Sequence, residues 1–349
     1  MRYPKKMFSL VLTVLGLVGM TISGAFAQAA AQLQPVATPL EKAVTSVGGE
    51  EALQNLSTIS LSAKGVRWIH DEGFKPGGPA NRVAPFEWQV QYDIAGDKLR
   101  VDHVFGSGDS ARPLSQVIAG ELGILDGRNS NFGAAAVSPM LSDRWAAARK
   151  HQRLLNPHLI LRDVLANPES ASDGDEVLLD GTVHHRLVVE DTVAPLTLYI
   201  NAGTGQIAKV TTLESDALRR DVEVEVFYYG WQSLEGGLAF PSELYIAYDG
   251  DIVHKEIRTA LTVNAELDSA QFEFPADVTP VFDENLAQRG EALHQYIESF
   301  AALGFPRDGI QPQVSAQELA PGVFHLTGGS HHSLAVEQAE GIVIVEAPL

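Results

Sequence analysis

Residues 221–229 read DVEVEVFYY, an alternation of charged and apolar side chains that decides how the chain folds. Successive side chains of a strand point to opposite sides, so Val222, Val224, Val226 and Tyr228 share one face and Asp221, Glu223 and Glu225 the other. A packed face backed by a wet one is the pattern of an antiparallel sheet. Working outward, strand-like alternation returns upstream at 59–68, 86–94, 99–105, 177–179, 184–190, 196–200 and 207–213, and downstream at 242–248 and 252–263. Gly, Pro, Asn and Asp lie between these runs, as hairpin turns require. Helical spacing interrupts in two places. At 39–56, Leu40, Val44 and Val47 fall on one face, Gly48-Gly49 breaks the pattern, and 50–56 restarts it. At 132–166, Leu141, Trp145, Ala148, Leu154, Leu155, Leu159, Ile160 and Val164 recur at helical intervals, and Pro157 splits the stretch into two helices. The prediction is an α+β fold in which one large curled antiparallel sheet, open and barrel-like, wraps over helices.

Composition narrows what such a fold can do. The 349 residues carry 44 Asp+Glu against 25 Lys+Arg, a formal net charge of −19, and no cysteine. An apolar share of 45% with 20% charged residues is a globular profile, too rich in core formers for disorder. The acidic balance excludes sequence-independent nucleic-acid binding, which needs Lys and Arg to displace counterions from phosphates. Without cysteine there is no disulfide scaffold, no CxxC redox centre and no thiolate metal site.

The amino end reads as a secretory signal over 1–27. Arg2, Lys5 and Lys6 form a positive start, 7–20 is mostly apolar, and Ala25-Phe26-Ala27 before Gln28 is a small-x-small cleavage pattern. The apolar run is shorter than the ~20 residues that a membrane span needs. Export to a bacterial periplasm with cleavage after Ala27 is the expectation, followed by a flexible leader over 28–37 and no membrane anchor in the mature chain.

Several local patterns imitate chemistry. Gly106-Ser107-Gly108-Asp109-Ser110-Ala111 resembles a phosphate loop, but a strand-like segment follows where a helix must open, so it reads as a hairpin turn. His184-His185 sits in a strand, where neighbours point to opposite faces and cannot ligate one metal together. Asp173-Gly174-Asp175-Glu176 and Asp249-Gly250-Asp251 lack the spacing of a calcium loop and read as turns. Trp68, Trp88, Trp145 and Trp231 read as core or groove lining. No serine lies in a GxSxG elbow.

Three phrases in the body carry a family likeness: VGGEEALQNLSTISLSAKG at 47–65, GLAFPSELYIAYDGDIV at 237–253 and VNAELDSAQFEFP at 263–275. Together they make 38–282 resemble the lipoprotein-carrier type of fold, an unclosed β-barrel with a helical lid. That resemblance implies a concave face available to acyl chains or used as a scaffold.

Residues 283–303 form a helical pattern, 304–313 a Gly- and Pro-rich linker, and 314–349 three short strands at 323–326, 333–337 and 342–346. Pro321-Gly322-Val323, the run 333–337 and the run 341–346 resemble the opening of the metallo-β-lactamase fold, whose members are zinc hydrolases. The resemblance implies an αββα domain whose HxHxDH motif holds zinc and activates water. This sequence contains no HxHxD, so no catalytic or metal-ligating residue is assigned, and zinc is expected only of a complete family member. Glu346 stands where that family often has Asp. His331 and His332 lie in a loop that would approach the substrate of a complete domain, or else are exposed turn residues. The first expectation is therefore an exported, inactive front part of a metallo-β-lactamase-fold hydrolase acting on an unknown small molecule, its catalytic core lying beyond Leu349. The alternative is a periplasmic carrier or binding module for an apolar or lipid ligand using the concave face of its open barrel, a reading that an interior filled by the chain's own aromatics would sink. A third is a structural domain that only docks the hydrolase region.

Overall fold

The computed structural model describes residues 37–69, 78, 80, 82–127, 137–191, 194–216, 220–289, 315–327 and 332–345. The signal segment with its Ala25, Ala27 and Gln28, most of the leader, the linker, His331 and Glu346 lie outside them.

Two short helices, α1 (Pro39–Ser46) and α2 (Glu50–Gln54), come first. Thr38 caps α1: its hydroxyl accepts from the Glu41 amide while the Glu41 carboxylate accepts from the Thr38 amide, and Pro39 opens the helix. Five strands follow, β1 (Thr58–Ile69), β2 (Arg82–Asp93), β3 (Lys98–Phe105), β4 (Arg112–Ala119) and β5 (Leu122–Gly127), then the two-residue β6 (Ser138–Pro139). Helices α3 (Ser142–Leu155) and α4 (Pro157–Ala166) are separated at Asn156-Pro157, as the proline dictates. The chain returns to strands with β7 (Ala171–Asp173), β8 (Val177–Leu179), β9 (Thr182–Val189), β10 (Leu196–Asn201), β11 (Ile207–Asp216) and β12 (Arg220–Tyr229). The short β13 (Gln232–Ser233) and β14 (Ala239–Phe240) pair with each other before β15 (Glu243–Tyr248), β16 (Asp251–Val263) and helix α5 (Glu284–Arg289).

One 14-stranded sheet contains most of these strands, in the order β6-β5-β4-β3-β2-β1-β16-β15-β12-β11-β10-β9-β7, with β8 pairing β9 alongside. Its pairings are antiparallel, and among the described residues the two ends of the order are not joined, which makes the sheet an open one. Asp249-Gly250 and Asp180-Gly181, each with positive φ at both residues, make the tight turns before β16 and β9. The decisive stretch behaves as its alternation demands. Val222, Val224, Val226 and Tyr228 of β12 are buried, and Glu223 and Tyr229 are exposed. On that outer face register aligns Tyr199, Lys209, Phe227, Tyr245 and Lys255 across five strands. Each ammonium sits over a neighbouring ring, and each is paired with a carboxylate, Lys209 with Glu225 and Lys255 with Glu243.

The inner face, helices α1 to α4 and the β14 segment share a single hydrophobic core. That core includes Phe86, Trp88, Phe105 and Phe240 together with Leu154, Leu155, Leu159 and Ile160 of the helices. The interior is thus occupied by the chain's own side chains, with α3 and α4 lying over the sheet.

The expected α+β class and the large antiparallel sheet hold; the strands at the carboxyl end do not mark the expected opening of an incomplete αββα domain. Residues 315–345 build a separate four-stranded antiparallel meander, β17 (Ser315–Ala320), β18 (Val323–Thr327), β19 (Ser333–Gln338) and β20 (Gly341–Val345), in simple chain order. Short apolar runs punctuated by Gly-containing turns are enough to make a meander. Their order and spacing do not specify the resembled family.

Candidate functional site

The middle of the inner face is built by a change of parity in β16. Val263 and Leu261 pair with Ile59 and Leu61 of β1, but the register shifts at Ser62/Ala63, so Arg258 pairs with Ala63, Glu256 with Gly65 and His254 with Arg67. This bulge turns the even-numbered, polar residues of β16 inward. Strand β2 continues the rows: Trp88 lies opposite Ala63 and Phe86 opposite Gly65, with His103 and Phe105 of β3 beyond them. Gly65 makes the crossing possible. A Cβ there would stand 1.8 Å from the Lys255 carbonyl oxygen and 2.7 Å from the Phe86 ring, which lies across the glycine. The result is an aromatic floor, with Phe86 5.2 Å from Trp88 and 6.4 Å from Phe105, on which polar groups stand. Phe86 stacks on His254 at 4.6 Å, and the Arg67 guanidinium lies 4.3 Å from the Phe105 ring centre.

Helix α3 supplies the roof. Arg144, Ala148, His151 and Leu155 follow helical spacing and are all buried, with the His151 ring 5.3 Å from Trp88. Fixed contacts hold the helix down. Arg258 donates through Nη2 to the Leu155 carbonyl at 2.7 Å and to Asn156 Oδ1 at 3.0 Å, while its Nε meets Glu256 at 3.2 Å. The Tyr228 hydroxyl donates to the Leu154 carbonyl. Nearer its start, Trp145 and Arg149 donate to the Gly120 carbonyl at 2.9 and 2.8 Å. In α4, His158 donates through Nε2 to the Ala239 carbonyl at 2.6 Å and stacks on Phe240 at 3.7 Å.

Burial governs the electrostatics. His103 is held well below the usual imidazole range, first by burial and then by the Arg144 and Arg67 charges. Burial does the same to His151, with His254, His103 and Arg67 adding to it. His254 is lowered by burial against the opposing pull of Glu256, and His158 is pushed down to about 3 by burial. These imidazoles are neutral at pH 7. Several of the buried polar atoms have no hydrogen-bond partner: Trp88 Nε1, His103 Nε2, Gln116 Oε1, Gln152 Nε2, His254 Nδ1 and Arg258 Nη1. Orphaned polar atoms are uncommon in a closed core, where each costs about 1–3 kcal/mol.

The residues singled out in the sequence lie elsewhere. His184 pairs with Asn201 and His185 with Ile200, hence on opposite faces, and His185 Nδ1 is 3.1 Å from Glu176. His332 is exposed, its ring 4.9 Å from that of His325. Of the tryptophans, Trp88 is in the core, with Trp145 and Trp231 packed against it. A shallow groove of about 540 Å³ has a mixed lining, with Lys64, Glu87 and Asp102 beside Val104, Pro113 and Leu114, and borders Trp88 and His103 as well. Arg67, His103, Arg144, His151, His254 and Arg258 were not legible as a set. The available signal was the His-x-Glu-x-Arg run 254–258, polar residues at strand spacing in a chain whose other strands bury that face.

Among the described residues, no three His, Asp or Glu side chains gather where they could hold a metal ion, and no helix is long and apolar enough to cross a membrane. No family model and no curated protein matches the chain. Solved structures similar to it include a Vibrio parahaemolyticus domain assigned to outer-membrane lipoprotein sorting, with 10% identity, 72% of this chain and 98% of that one covered, and a TM-score of 0.41. An uncharacterized conserved protein from Thermus thermophilus follows, with 12% identity, coverage of 70% and 100%, and a TM-score of 0.28. The MucA/MucB complex of Pseudomonas aeruginosa is another, with 11% identity, coverage of 85% and 79%, and a TM-score of 0.23. The expectation of a metallo-β-lactamase-fold zinc hydrolase is corrected: no family model matches, and the strands that carried the resemblance form a plain four-stranded meander.

Proposed function

We propose that the body of the chain, 38–282, is an exported binding or carrier module for an apolar or lipid ligand, received between the inner face of the sheet and the α3–α4 roof. The observation that carries this reading is the character of that interior. It is a broad apolar and aromatic surface in which several buried polar atoms lack partners. Such an interior has hydrogen-bonding capacity to offer a guest. With the roof down, the chain's own aromatics fill the space, which rules out a carrier with a preformed cavity; the reading therefore requires a ligand that displaces α3 and α4. Displacing the roof would break the hydrogen bonds from Arg258, Tyr228, Trp145, Arg149 and His158, the Lys150–Glu214 ion pair, and the packing of its leucines in the shared core, so the ligand's own burial must replace that packing.

The leader pattern supports a periplasmic location, and the terminal meander, 315–345, is a separate unit outside this role. Solvent extraction of protein purified from cells, followed by mass spectrometry, tests the reading. Recovery of one lipid class in stoichiometric amount is expected. Protein that yields no lipid and takes up none from vesicles of the host's phospholipids contradicts it.

A further inference from the structure

We propose that the ligand is acidic: a single-chain carboxylic acid whose head group lies beneath α3 against the row Arg258–Ala63–Trp88–His103. The proposal rests on the carrier reading above and names the chemistry of its guest. Register aligns these four residues side by side on the inner face. Ala63, the shortest side chain of the row, stands between the two donors Arg258 and Trp88. All three polar members are more than nine-tenths buried, at 8% exposure for Arg258, 5% for Trp88 and 4% for His103.

Arg258 Nη1, Trp88 Nε1 and His103 Nε2 are without hydrogen-bond partners. An indole N–H and a guanidinium N–H can only donate, so what this row lacks is an acceptor, and one with several lone pairs serves it best. A carboxylate fits: it accepts more than one hydrogen bond, and its charge strengthens each. Among the charged groups, Arg258 is in the row, Arg67 and Arg144 are close enough to act on His103, and Glu256 takes Arg258 Nε at 3.2 Å, which leaves Arg258 Nη1 for the guest. The same face also provides for the tail. Val90 and Val101 lie opposite each other one row on, beside Leu61, and Tyr92, Leu99 and Ile118 occupy the row after that. Two rows give an apolar track of about 13 Å.

Calorimetric titration of the full chain with dodecanoic acid and with methyl dodecanoate separates head group from tail. The acid is expected to bind at least ~10-fold more tightly than the ester, since hydrogen bonds to charged groups are the strong ones. Arg258 also pins the roof, so replacing it risks the fold. Trp88→Phe keeps an aromatic side chain and removes the N–H donor, and is expected to weaken the acid ~10-fold and the ester, an uncharged acceptor, by clearly less. Equal affinity for acid and ester overturns the acidic head group and leaves the carrier reading standing. Equal weakening of both ligands by Trp88→Phe overturns the assigned position. Binding of neither ligand removes the carrier reading and this proposal together.

Discussion

At the scale of single residues, Gly65 is where the inner face is most tightly determined. A methyl group there meets the Lys255 carbonyl oxygen at 1.8 Å, a contact that only separation of β1 from β16 can relieve. Gly65→Ala is expected to lower unfolding free energy by about 3 kcal/mol or more. Gly341→Ala, where an added Cβ meets nothing within 4 Å, should stay within about 0.5 kcal/mol. Urea titration of both variants checks the contrast. The buried histidines supply a second test. His158 has an ordinary value of 6.5 and is held at about 3 in the folded chain. The unfolded chain therefore takes up a proton first as pH falls. The contribution is whole above pH 6.5 and is lost progressively down to about 3, at about 1.4 kcal/mol per pH unit. His103, His151 and His254 shift in the same direction and steepen the loss. His158→Asn is expected to flatten the stability–pH slope by close to one proton over this window, measured by denaturation at a series of pH values. An unchanged slope would contradict the assignment.

At the scale of elements, strands, hairpin turns and the Pro157 break were legible because each has a local cause: alternation, Asp-Gly turns, a ring that blocks helix continuation. Strand β5 was missed because LGILDG carries too few residues to show a period, and β17 because SAQELA has weak strand composition. The site was not legible for a different reason. Carried back unbroken from Leu261 and Val263, the alternation of β16 would turn Lys255 and Ile257 inward; the bulge reverses this and buries His254, Glu256 and Arg258. A bulge depends on the partner strand, and no local pattern announces it. The resulting Arg258–Glu256 pair is buried at 3.2 Å and also anchors the end of α3. Arg258→Met leaves Glu256 without its guanidinium partner and is expected to lower stability by about 3–5 kcal/mol. Adding Glu256→Gln should recover part of that loss. Tyr228→Phe removes one tie to α3 and should lower stability by about 1 kcal/mol. Thermal unfolding of the three variants measures the order.

For the whole molecule, the open sheet with a helical roof was foreseen from its phrases, and the hydrolase reading was not sustained because three strands at plausible spacing describe many meanders. In the carrier proposed here, a ligand enters between the inner face and α3–α4. Its most direct test is hydrogen exchange on the full chain with and without saturating dodecanoic acid, resolved by peptide. Altered protection is expected in α3, α4 and the inner strands β1, β2, β3 and β16, with the meander at 315–345 unchanged. Exchange that does not change anywhere in α3 and α4, or changes only on the outer face, would contradict it.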